Sequence, residues 1–296
     1  MAARADELPM IEPVHEYYAE ADVLSADLEQ PLRDEIKRRV YVKLPKDGHY
    51  QFKKAEPFRF EGILSYESGY TQVAGHPSSK TAGFTTLATS VLEGLNVLDV
   101  ITADRVVAQI STVHPAYGTG QVPSVTFLGT RFDNLKIGGH IVGVTRKLDI
   151  LGPRRDDDTS YFEDDEVLGR ISTQYETIAA AENLPEWAAR DYPKGRPALN
   201  GSGRLECSLV SGVTDAPGTP FGHVIDLPHF GKIFLGELQV DRKPGDRKKG
   251  INDAYTFHLT MIRLEMGCLA KGSAKIVALD ANGTGSGGGG HKPPTP

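Results

Sequence analysis

Short segments of alternating or β-branched residues, cut every few positions by glycine, run through most of this chain. That period of two points to a β core. From Phe58 it passes through Phe60, Ile63 and Leu64 to the turn-like Gly75-His76-Pro77-Ser78-Ser79. Residues 84–100 and 106–113, rich in threonine and β-branched side chains, read as strands. So do 122–127, 132–137 and 141–144, between Gly118, Gly120, Gly129, Gly138 and Gly139. Strand signals resume at 205–210, 224–225, 233–240, 256–265 and 274–279. The fold class is mainly β: a large twisted β-sandwich with one helical excursion, with a β-solenoid as the alternative.

One pattern recurs inside these strands. Apolar-x-x-apolar-x-apolar appears as Leu92/Leu95/Val97, Phe132/Leu135/Ile137, Leu235/Leu238/Val240 and Leu259/Ile262/Leu264. The last two positions of each set share a face, whereas the first reaches that face only through a bulge or turn. Leu95, Leu135, Leu238 and Ile262 are therefore expected inside. Asn96, Lys136, Gln239 and Arg263, one residue along, are expected on the opposite side.

The pattern breaks at Pro153. An acidic run, Asp156 to Glu166, precedes the one clear helix, 172–190, whose apolar face is Tyr175, Ile178, Ala179, Leu184 and Trp187. Pro185 makes it a kinked helix or two short ones. Residues 22–44 read as extended. The chain thus divides into a flexible N-terminal segment (1–21), a single β core (22–153 and 203–281), an acidic and helical insertion (154–202) and a Gly/Pro-rich flexible tail (282–296).

Charge narrows the partners. Asp and Glu number 39 against 33 Lys and Arg, a net charge of -6, which disfavours binding to a phosphate backbone. No run approaches the ~18 apolar residues of a spanning helix. The N-terminus has no apolar secretory region, so the chain as given reads as cytoplasmic. Cys207 and Cys268 cannot make a disulfide scaffold or a four-cysteine zinc site; they stay as thiols, or pair if the protein is exported. Partners left open are a surface ligand and a second copy of the chain, joined through strand edges that show few obvious guards.

Sites are harder to read. His223-x-x-Asp226-x-x-His229 offers ligand types for zinc or iron, with Pro228 supplying a turn and His114 or His258 a further ligand. This defines the alternative function, a metal-dependent enzyme. The acidic run lacks the spacing that wraps calcium. Gly75 to Thr81 resembles a phosphate loop but carries serine where glycine must precede the lysine. Asp104, Arg105 and His114 lie at opposite ends of a strand, too far apart for one acid–base site. Asp241 to Gly250 reads as a basic, solvated turn. Asn200-Gly201-Ser202 and Asn282-Gly283-Thr284 fit a glycosylation acceptor, which matters only in a eukaryotic secretory pathway. No catalytic residue and no cofactor is assigned.

Several phrases carry a likeness to a known group. They are Val42-Lys43-Leu44-Pro45 with Asp47-Gly48, Gly62-Ile63-Leu64-Ser65, and the stretches Thr85 to Leu95, Val100 to Val106, Thr126 to Gly139 and Ile225 to Leu235. In these the chain resembles bacterial β-rich domains of the choice-of-anchor surface-protein type. The resemblance implies an extracytoplasmic display or adhesion role without an established active site. The expected function is accordingly non-catalytic: structural, surface-display or ligand-binding.

Overall fold

A computed structural model of the chain describes residues 15–78, 83–114, 122–153, 159–193, 203–245, 253–267 and 270–282. Strand takes up 61% of it and helix 9%. In chain order, β1 (Ala19–Gln30), β2 (Asp34–Arg39) and β3 (Val42–Lys43) open a front sheet. The chain then builds a back sheet from β4 (His49–Ala55), β5 (Phe58–Phe60), β6 (Leu64–Tyr66), β7 (Ser68–Ser78) and β8 (Gly83–Val97). That sheet continues with β9 (Ile101–His114), β10 (Ser124–Thr126), β11 (Arg131–Asp133), β12 (Lys136–Ile137) and β13 (His140–Ile141). After β14 (Gly143–Arg146) come α1 (Asp165–Ala179) and α2 (Glu186–Asp191). Next are β15 (Arg204–Ser208) and β16 (Val210–Thr214), the latter paired with β14 as a separate ribbon. β17 (Thr219–Phe221), β18 (Val224–Leu227), β19 (Gly231–Lys243), β20 (Ala254–Met266) and β21 (Lys271–Asn282) return to the front sheet.

The front sheet has nine strands in the order β17-β18-β19-β20-β21-β1-β2, with β15 on β19 and β3 on β1; the back sheet has ten. Every pairing among the described residues is antiparallel. A solenoid would stack its rungs differently, so the sandwich is the architecture. The two sheets enclose one continuous apolar core that includes Leu24, Leu92, Ile110, Leu238 and Ile262.

The N-terminal segment departs from expectation. β1 lies between β21 and β2, and Tyr17, Ala19 and Ala21 are buried, so residues 15–21 belong to the core. Residues 1–14 lie outside the described residues, as does the tail beyond Asn282, the last residue of β21. Residues 22–44 are extended, as read. The helix starts at Asp165, ahead of the expected 172, because Asp164 caps it by accepting from the Glu166 and Val167 amides. Pro185 caps α2, giving two helices. The insertion is tied into the core: Tyr161, Val167 and Ile171 join the main apolar cluster, and Gln174 bonds the Ser208 backbone in both directions.

The recurrent motif marks a row of bulges. On β19, Ile233 and Leu235 point inward, then Leu238 and Val240; the switch falls at Gly236, whose φ is +64°. β20 switches at Met261, β21 at Val277 (φ +56°) and β1 between Val23 and Leu24. The ladders keep their register across this row. All four strands therefore turn over together, and the outward set changes parity along one line.

Candidate functional site

That line crosses the outer face of the front sheet. On one side the outward side chains form cross-strand rows. Glu237 faces Thr260, Ala278 and then Asp22; Gln239 faces His258, Asp280 and Glu20. Beyond the bulge, Arg263, Lys275 and Ser25 make the next row. Gln174 and Tyr175 of α1, with Tyr192 after α2, wall this floor into a cavity of about 570 Å³. Tyr175 is fixed by its hydroxyl donating to the Glu206 carbonyl at 3.3 Å and by its ring against Tyr192. Phe221, Val224 and Phe234 pack with Ile178 and Ala188 beside it, which seats α2.

The charges on the floor are largely spent on one another. Arg38 on β2 donates to Asp22 Oδ1 and Glu20 Oε2, each at 2.6 Å. Arg263 holds Glu237 through two bonds of 2.6 and 2.8 Å and lies over the Phe234 ring. His258 sits between two carboxylates, Nδ1 2.7 Å from Asp280 and Nε2 3.3 Å from Asp241. Burial alone would lower its pKa, but the Asp280 hydrogen bond and the two nearby charges outweigh that and raise it. Both carboxylates therefore favour the protonated imidazole.

Cys207, His223 and Tyr192 are neutral for the opposite reason. Burial pushes the Cys207 thiol up to about 12 and the His223 imidazole down to about 4, and it raises Tyr192. Asp22 is 1% exposed; burial raises its pKa against the pull of Arg38. Two buried groups of the lining have an atom without a hydrogen-bond partner among the described residues: Asp22 Oδ2 and His223 Nδ1.

The proposed metal ligands do not converge. His223, in the turn before β18, is buried and meets the Tyr192 hydroxyl through Nε2 at 3.2 Å. Asp226 is half-buried in β18, and His229 is exposed in the turn after it, at φ +64°. The turn at Pro228 therefore sends His229 outward instead of back toward His223. Among the described residues no three His, Cys, Asp or Glu side chains are grouped to hold a metal. The structure does bring His223 and His258 to one cavity. His114 is elsewhere, buried beside His15 with ring centroids 4.8 Å apart. Arg105 pairs with Glu93 across β8 and β9, and Asp104 accepts from Asn134. Of the remaining motifs, 79–82, 154–158, 200–202, 246–250, Cys268 and 283–284 lie outside the described residues.

Sequence reasoning missed Asp22, Arg38, Glu237 and Asp280, which lie on four different strands. A signal was present in polar residues alternating with buried apolar ones along 237–241 and 258–265. It says which side chains face outward, not which strands lie side by side.

Comparison with known families places this arrangement. A family model described as a domain of unknown function, DUF8256, matches residues 15–241. The chain belongs to this family. The DUF8256 match starts at His15, shortly before β1, and stops within β19. The cavity therefore draws on the matched region and on β20 and β21, which follow it. No curated protein and no solved structure matches the chain.

Proposed function

We propose that the protein is a non-catalytic binding protein whose outer front-sheet cavity takes a small polar solute without net charge. The observation that carries this reading is the pairing pattern. Asp22, Glu206, Glu237 and Asp280 are matched by Arg38, Arg263, Lys275 and the protonated form of His258, which its two carboxylates favour, while Asp22 Oδ2 and His223 Nδ1 have no hydrogen-bond partner among the described residues. A balanced lining sets up no field for a strongly charged ligand, and a buried, unbonded acceptor calls for a donor. A ligand hydroxyl or ammonium would meet Asp22 Oδ2, and the neutral His223 nitrogen would meet a second polar group.

The same chemistry supports binding over turnover. His258 has both ring nitrogens engaged by carboxylates, which favour its protonated form, so it is no ready base. Cys207 is held as the thiol, the unreactive form. Display at the cell surface, implied by the likeness to choice-of-anchor domains, would suit a solute-binding role.

The test is a thermal melt against sugars, polyols, amino acids and betaines. A solute at about 100 times its dissociation constant should add roughly 2.7 kcal/mol, a rise of a few degrees. Asp22→Asn should remove that rise. No rise with any of these solutes, or a rise unchanged in Asp22→Asn, would count against the proposal.

A further inference from the structure

The outer face of the back sheet carries a second set of aligned side chains. Phe52 on β4 faces Gln72, Thr89 and Gln109 in one cross-strand row. Lys54 faces Tyr70, Val91, Val107 and Arg131 in the next. With strands ~4.8 Å apart, a five-strand row runs for roughly 20 Å. A cavity of about 240 Å³ opens along these rows, and Gly129 forms part of its rim. Gly129 has a φ of +90°, and a Cβ there would come within 2.8 Å of Gln109 Oε1, so glycine keeps the rim clear of the amide.

Aromatic surface is exposed here at a cost in hydration. Phe52 is 51% and Tyr50 57% exposed, and Phe52 stacks on Tyr70 with centroids 5.7 Å apart. Tyr50 donates its hydroxyl to Gln72 Oε1 at 3.4 Å, which turns that amide's NH₂ to ligand use. Gln109 Nε2 donates to Thr89 at 3.3 Å. Both guanidinium groups already have carboxylate partners: Arg105 with Glu93, and Arg131 with Asp133 at 3.0 Å. The face thus offers ring surface, amides, a hydroxyl and spare N–H donors, with its arginine charges compensated.

We infer that this face binds a neutral oligosaccharide, one sugar ring packing its C–H face on Phe52 and Tyr70. Its hydroxyls would meet Gln72, Gln109 and the outward N–H groups of Arg105 and Arg131. A sugar is apolar on its ring face and hydrogen-bonding around its rim, which is the alternation these rows present. A polyanion fits less well because the arginines are neutralised. An added peptide strand would pair along a sheet edge such as β4, whereas Gln72, Thr89 and Gln109 lie further in, on strands with neighbours on both sides. This inference rests on the back sheet alone and stands or falls apart from the front-sheet cavity.

The test is electrophoresis of the full chain through native gels containing a mixed-linkage β-glucan, xyloglucan, galactomannan or soluble starch, with dextran sulfate as the polyanion. At least one neutral polysaccharide should retard the protein. Phe52→Ala and Gln109→Ala should each weaken that retardation about tenfold, with their melts unchanged. Leu32→Ala, at an exposed apolar residue outside this face, should leave it as it was. Retardation by none of the neutral polymers, by dextran sulfate alone, or to the same extent in Phe52→Ala would overturn the inference.

Discussion

Ser90 is fully buried on β8, and its hydroxyl crosses the sandwich to donate to the Asp22 backbone carbonyl at 2.9 Å. That bond anchors the back sheet to the strand that carries the cavity's buried carboxylate, beside the row where β1 turns over. Removing the hydroxyl leaves a buried carbonyl without this donor, a loss of ~1–3 kcal/mol. Ser90→Ala should therefore lower the unfolding free energy by about that amount in a denaturant titration, while Ser273→Ala, on the exposed side of β21, should change it little. Equal stability in the two variants would mean that the Ser90 bond contributes nothing. Nothing local distinguishes Ser90 among the threonines and serines of residues 84–90. Its partner is 68 positions away, and a hydroxyl looks the same in sequence whether it meets water or a distant carbonyl.

Strand positions were far more legible than partners, because a period of two is written along each segment whereas strand order is not. Leu95, Leu135, Leu238 and Ile262 are all buried, and Asn96, Lys136, Gln239 and Arg263 are more exposed, as the recurrent motif required. The skip proved to be a bulge at Gly94 and Gly236, and in Phe132/Leu135/Ile137 the break between β11 and β12 at Asn134. Placing aspartate at Leu238 buries a carboxylate in the core and should cost well over ~2 kcal/mol, while Gln239→Asp, facing the cavity, should cost far less. Matched thermal melts of the two variants decide this; similar losses would remove the alternation. Gly236→Ala should cost about 1 kcal/mol, since an alanine at φ +64° is strained and its Cβ would lie 3.0 Å from Val210. The edges show guards that composition alone did not reveal: β2 reads Asp34-Glu35-Ile36-Lys37-Arg38-Arg39, and the other end of the front sheet is the three-residue β17 with Pro220. The helical excursion packs on the core, which the sequence did not reveal, because an apolar stripe identifies a helix but not what it packs on. Deleting residues 159–193 would expose the surfaces under Tyr161, Val167 and Ile171, so that variant should be insoluble or melt far lower; a native-like melt would detach the helices from the core.

Taken together, the histidines set opposite limits on pH. Burial drives His15 down to about 4, His114 to about 3 and His223 to about 4, so the folded protein keeps them neutral where the unfolded chain takes up protons near pH 6.5. The unfolded state then binds more protons as pH falls, and stability drops from about pH 6.5 downward. Arginine-paired carboxylates add to the loss below about pH 5, so the first part of the decline is carried by the imidazoles. His258 acts in the other direction. Asp280 and Asp241 raise its folded pKa, so its contribution is complete below 6.5 and is lost as pH climbs through that raised value. Denaturant titrations from about pH 5 to pH 9 should therefore give a curve that declines on both sides. His258→Gln should flatten the alkaline limb and leave the acid limb in place; His223→Gln should soften the acid limb and leave the alkaline one. An alkaline limb that persists in His258→Gln would show that the Asp280–His258–Asp241 chain does not hold its proton in the folded protein, and the balanced charge assigned to the front-sheet cavity would go with it.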